Sequence, residues 1–348
     1  MNSKERVLRT IQHRETDRIP FFFHGYPGIS LGHKFGIEPE DSSAHMQLTE
    51  KLGCDVHFVR PNLKQNIPVE DEFWFSYGNV HSAIHGENAV LEKMPLEDAQ
   101  SVEDIVNYRR WPNPDLVEYE IQPDVIPYLK DKAVVAHDMF ILFLSAMGLR
   151  GMQNIMMDMA AAPEMAHAVI SKISAINLER LDRFLARNQG IIDIAGIGDD
   201  VAGQNGILFS IDMWREYIKP YLRQAVDVCR KYKVIPYFHG CGGFTELFDE
   251  FSALGIQCVG RLQSEARGND FAMVKEKYGS RFCLWGAIDA QHAVIEKNAG
   301  EVREYVRNIM NLGANGGGFI AGPTHTFTSD TPLANVIAVY ETLRGEKF

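Results

Sequence analysis

The sequence predicts an α/β fold, a (β/α)8 TIM barrel with a β-rich insertion between strands two and three. Three observations lead there. Eight short β-rich apolar runs recur along the 348 residues, most of them followed by a segment with the 3.6-residue period of an amphipathic helix. Strands that alternate with helices pair in parallel, and a count of eight closes naturally into a barrel. No G-x-G-x-x-G follows the first run, which disfavours the doubly wound sheet.

The runs, in order, are RIPFFFHG (18–25), CDVHFVRP (54–61), AVVAHDM (133–139), GIIDIAGIGDD (190–200), VIPYFHG (234–240), QCVGRLQ (257–263), FCLWGAID (282–289) and GGGFIAGP (316–323). Helical periodicity joins Trp214, Ile218, Tyr221, Leu222, Ala225 and Val228, then Phe244, Leu247, Phe248 and Phe251, then Val302, Tyr305, Val306 and Ile309. Pro163 and Pro332 mark helix starts, Gly279 and Gly313 mark stops, and Pro220 should break or kink the 211–232 segment. Met147, Met152, Met156, Met157 and Met159 read as helix core rather than a cofactor box. The interval 61–132 reads as an insertion, with a β-meander in DEFWFSYGNVHSAIHGENAVLEKMPL and a proline-punctuated linker in YRRWPNPDL. It must pack on the barrel, so a single domain over 1–348 is expected.

A hydrophobic content of 45% is ample for a core of this size. No apolar run approaches the roughly 20 residues of a membrane span, and MNSKERVLRT lacks the apolar segment of a secretory signal. A cytoplasmic protein is expected. Five scattered cysteines, Cys54, Cys229, Cys241, Cys258 and Cys283, suit free thiols or metal ligands better than a disulfide framework. A net charge of -11 without a basic stripe argues against nucleic acid or anionic membrane as the partner and favours a small molecule or another protein; a homodimer is compatible with this.

In such a barrel the C-terminal strand ends form the active-site face. The polar residues that fall there are His24, Arg60, His137 with Asp138, Asp199 with Asp200, His239 with Cys241, Gln263 with Glu265, Asp289, and His325. Residues i and i+2 of an extended segment point the same way, so His239 and Cys241 can aim at one ion. An imidazole and a thiolate suit Zn2+, and Gly242 and Gly243 let backbone approach that ion or its substrate. A helix starting near Phe244 would help keep Cys241 ionised. The spacing alone is a weak signal, and a buried structural pair is the competing account.

Several segments together resemble the uroporphyrinogen decarboxylase superfamily: SKERVLRTIQHRETDRIPF, WPNPD, GDDVAGQNGILFS, HGCG, LQSEARGNDFAMVKEKYG, WGAIDAQ and GGGFIAGPTHTFTSDTPLANV. Within it, HGCG resembles the zinc-dependent corrinoid methyltransferase branch, which includes O-demethylase and methylcobamide:coenzyme M methyltransferases. FFFHGYPGI stands where true decarboxylases carry an arginine-rich motif that grips substrate carboxylates. The resemblance implies a zinc-dependent methyltransferase and places His325 where that branch supplies a third ligand, a cysteine. A His239, Cys241 and His325 set with one open position is the catalytic zinc pattern. Because histidine at this position also resembles the metal-free decarboxylase, that reading stays open, as does a non-catalytic tetrapyrrole-binding barrel. No Asp-x-His-x-x-Gly corrinoid motif is present, so a corrinoid (cobalamin) is expected on a partner protein that docks over the barrel mouth.

Roles for the other rim residues follow. Asp199 and Asp200 are candidates to orient His239 or move a proton, against a solvated loop pair. Glu265 is a candidate fourth ligand or proton-transfer group, against a surface carboxylate. His24, His137, Asp138, Gln204 and Gln263 are candidate substrate-binding residues, with packing and buried hydrogen bonding as the alternatives.

Overall fold

A computed structural model describes residues 1–24, 29–38, 43–64, 94–328 and 330–348. Its centre is a seven-stranded parallel sheet in chain order: β1 (Val56–Val59), β2 (Ala133–Phe140), β3 (Ile194–Gly198), β4 (Ile235–His239), β5 (Cys258–Leu262), β6 (Cys283–Ile288) and β7 (Phe319–Pro323). The ring is closed by the first apolar run. Phe21 bridges Ala321 in parallel, the Phe22 amide donates to the Ala321 carbonyl at 3.0 Å, and the Asp55 amide donates to the Phe21 carbonyl at 2.9 Å. All eight expected staves are present, and the parallel, nearly continuous burial of each strand is what helices on the outer face require.

The closing stave is too short to hold itself, and a buried ion cluster secures it. The fully buried Asp55 carboxylate accepts from Arg6 at 2.6 Å, from Arg18 at 2.6 Å and from the Phe21 amide at 3.0 Å. Arg6 belongs to helix α1 (Ser3–Ile11), whose Val7 and Ile11 join the lumen residues Phe22, Val56, Ala133, Ile194, Cys258, Cys283 and Trp285 in one apolar cluster. Thus α1 plugs the end of the barrel where the strands begin, and the open end is the one where they finish.

The outer helices include α2 (Phe143–Arg150), α3 (Pro163–Arg187), α4 (Ile211–Tyr217), α5 (Lys219–Lys231), α6 (Phe248–Leu254), α7 (Phe271–Tyr278), α8 (Ala299–Ala314) and α9 (Leu333–Arg344). Pro163 opens α3, Pro332 caps α9, and Pro220 falls at the start of α5, where its ring fits the first turn and divides 211–232 into two helices. Gly313 is the penultimate residue of α8, which ends at Ala314. A Cβ on Gly313 would stand 2.0 Å from the Phe319 ring, so the glycine lets helix and strand touch. Met159 is buried, but Met152 and Met157 are exposed, because they lie off the buried face of their helix. Of the insertion, Asn62–Leu63 pairs antiparallel with Val117–Glu118; the expected meander lies mostly outside the described residues. All five cysteines are free. Among the described residues, no helix is long and apolar enough to cross a membrane.

Changing Asp55→Ala should lower unfolding stability by about 3–5 kcal/mol, since it strands two arginines and frees the closing stave. A urea titration followed by circular dichroism measures this; a loss below about 1 kcal/mol, the value of an exposed ion pair, would contradict the clamp.

Candidate active site

β2 ends with a local irregularity that builds the site. Its register with β3 shifts between Ala136 and Phe140, and Asp138 has φ of 44°, a left-handed value that aspartate tolerates better than most residues. The shift lets the consecutive residues His137 and Asp138 both serve the mouth, where a regular strand would send them to opposite faces. Gly196 makes room for it, because a Cβ there would stand 3.0 Å from the Asp138 amide nitrogen.

The Asp138 carboxylate then joins two strands. Its Oδ2 lies 2.7 Å from His137 Nδ1 and its Oδ1 lies 2.9 Å from His239 Nδ1. Burial alone would raise this carboxyl, but the two imidazoles outweigh it and hold it well below the usual carboxylate range. A carboxylate only accepts, so each Nδ1 carries the hydrogen. In a neutral ring His239 Nε2 then keeps its lone pair, and among the described residues this buried atom has no hydrogen-bond partner.

The loop after β4 is pinned on every side. The Cys241 amide donates to Asp200 Oδ1 at 2.9 Å, the Gly242 amide donates to Gln263 Oε1 at 2.9 Å, and Asn269 Nδ2 donates to the Gly242 carbonyl at 2.8 Å. Gly242, at φ of 76°, crosses so near the 202–207 hairpin that a Cβ would lie 2.5 Å from the Gly203 carbonyl. Burial and then the Asp200 carboxylate push the Cys241 thiol well above its ordinary value. This reverses the ionising influence expected of a helix near Phe244: the chain there makes a short 3-10 turn over Thr245–Leu247 before α6 begins. A thiolate here needs a cation beside it.

The remaining candidates divide. Asp199 does not orient His239. Its carboxylate accepts from the Phe143 and Leu144 amides at 2.5 and 3.0 Å, capping α2, and burial pushes it up to about 7. Asp138 has the orienting position instead. Asp289 likewise caps the turn that follows, accepting from the amides of Gln291, His292 and Ala293. Gln204 Nε2 donates to Gln263 Oε1 at 2.9 Å, so this pair ties the hairpin to the Gly242 loop. Glu265 is exposed after β5; surrounding protein and the Asp289 carboxylate raise it. Arg60 is exposed. His24 is in the mouth, its ring 5.1 Å from that of His137, and burial lowers its basicity well below the ordinary imidazole value. His137 is lowered as well, by burial first.

His325 is half-buried beyond β7, and it is not brought together with His239 and Cys241. Among the described residues no group of three or more His, Cys, Asp or Glu side chains stands ready around one metal position. Thr324 holds that segment toward the loop after β6, its amide donating to the Ile288 carbonyl and its hydroxyl accepting from the Ala290 amide. For zinc the donor types at the β4 end fit, and the orphaned, carboxylate-backed Nε2 is how a metal-ligating histidine is usually held.

Sequence reasoning passed over Arg261. It is only 2% exposed, and its Nη2 donates to His24 Nδ1 at 3.0 Å. A cation inside the apolar run QCVGRLQ was a legible signal, since arginine is almost never fully buried without a partner.

Comparison with known proteins agrees with this architecture. A methyltransferase from Methanosarcina mazei superposes with a TM-score of 0.61 over 99% of both chains at 16% identity, a likeness of fold. No curated protein matches the sequence. The uroporphyrinogen decarboxylase (URO-D) family profile matches residues 139–345, from the last two residues of β2 through α9, which takes in the candidate site residues other than His24, Arg60, His137 and Asp138. The chain belongs to the uroporphyrinogen decarboxylase family.

Proposed function

We propose that this protein is a zinc-dependent methyltransferase that moves a methyl group between a methoxylated or methylated small molecule and a corrinoid carried on a separate protein, as a component of an O-demethylating system. The observation that carries this reading is the buried His239 Nε2, freed by Asp138 and two residues ahead of Cys241. Family membership supports it, and so does the fold likeness to an archaeal methyltransferase.

His239 and Cys241 would hold the ion, with His325 as third ligand once the segment after Pro323 approaches the β4 end. Bound zinc would act as a Lewis acid for the oxygen or sulfur that loses or gains the methyl group. The chain's own contribution is positional. Asp138 fixes the imidazole, Asp200 and Gln263 fix the backbone on either side of Cys241, and the α1 plug leaves one open end for substrate and for the corrinoid protein. The mouth residues His24 and His137, both held neutral by burial, would line the substrate.

Three measurements follow. Elemental analysis should find about one zinc per chain, lost on His239→Ala or Cys241→Ala, as a three-ligand catalytic site requires; a metal-free preparation with decarboxylase activity would transfer the assignment to the rival reading. Asp138→Asn should weaken zinc about 10–100-fold in competition with a chelator while leaving the fold intact, and unchanged affinity would remove Asp138 from the site. Incubation with methyl ethers and cob(I)alamin should produce methylcobalamin; absence of transfer to or from any cobalamin form would refute the methyltransferase reading.

A further inference from the structure

Arg261 is a buried cation that the proposed reaction does not use. It projects from β5, is 2% exposed, and makes a hydrogen bond to the nitrogen of a neutral histidine, His24. Its Nε is buried with no partner. Among the described residues no carboxylate pairs with it, and Asp138 in the mouth has both oxygens engaged by His137 and His239. The Tyr237 hydroxyl is buried nearby with no hydrogen-bond partner among the described residues.

An unpaired guanidinium in a low-dielectric site is costly, and such groups are kept where an anion completes them. Nε and Nη2 form the side-on edge of a guanidinium, which a carboxylate engages with two parallel hydrogen bonds.

We propose that Arg261, with His24 and Tyr237, forms a carboxylate-binding subsite inside the barrel mouth, so that the small-molecule substrate is a carboxylate-bearing compound. The inference rests on the methyltransferase reading only in treating that ligand as the methyl-bearing substrate. Arg261 is here a specificity-determining residue. Its arrival from β5 also differs from the arginine-rich segment after the first strand, which this chain lacks.

The test is equilibrium binding of benzoate and of its uncharged isostere benzamide to the full-length protein, followed by tryptophan fluorescence, with zinc-loaded and chelator-treated protein in parallel. Benzoate should bind at least about tenfold more tightly than benzamide in both forms. Arg261→Gln should abolish that preference, and Arg261→Lys should restore part of it. Equal affinity for the two probes, absence of saturable benzoate binding, or a preference that survives Arg261→Gln would overturn the subsite. A preference seen only with zinc present would overturn it too, by assigning the carboxylate to the metal. If Arg261→Gln fails to fold, the wild-type ratio in chelator-treated protein and the Arg261→Lys variant decide. Failure of methyl transfer leaves this result untouched, since no turnover is read.

Discussion

One carboxylate shared by two imidazoles organises the mouth of this barrel. Asp138 reaches His137 on its own strand and His239 two strands away, and it can do so only because β2 is irregular at that point. The left-handed φ of Asp138 is a local cost of the order of 1–3 kcal/mol, tolerated because the surrounding strands over-determine it. Gly196 is part of the same device: an alanine there would press on the bulged backbone. The consequence is chemical. With Nδ1 committed to Asp138, His239 has one defined tautomer and one defined lone pair.

The rest of the site keeps that lone pair useful. The His239 to Gly243 segment is held by Asp200, Gln263, Asn269 and the Gly203 carbonyl, so its position does not depend on a bound ligand. The charges at the mouth are of two kinds. Asp138 is compensated by its histidines, whereas among the described residues Arg261 has only a neutral imidazole. Such an imbalance is destabilising in an empty barrel and becomes favourable when an anion enters. The barrel itself depends on a matching arrangement at the far end, where Asp55 gathers Arg6 and Arg18 and fastens the short closing stave. Both ends therefore use an aspartate, fully buried only at Asp55, to join elements distant in sequence.

The staves were legible in the sequence because each is an apolar run bounded by glycine, proline or charge, and periodicity marks the helices between them. Pro220 divided its helix as its chemistry requires. Gly313 marked the end of its helix to within one residue, but its contact with Phe319 from a later strand is a tertiary fact that no local pattern carries. The site was legible as a set of strand-end residues but not as a set of partners. Asp138 looked like an ordinary pocket residue because a strand of period two points it away from His137; only the register shift corrects this. Asp199 looked catalytic because it precedes Asp200, yet helix capping claims its carboxylate. Arg261 was hidden by the opposite bias, an apolar neighbourhood that invites reading the whole run as core.

The account stands on the tautomer of His239. Nitrogen-15 NMR of the histidine side chains in the zinc-free protein, with His239 assigned through a His239→Gln variant, reads it directly. Where the ring is neutral, the hydrogen is expected on Nδ1, with an unprotonated Nε2 whose signal moves when zinc is added. A ring protonated at Nε2, or an Nε2 signal indifferent to zinc, would contradict it.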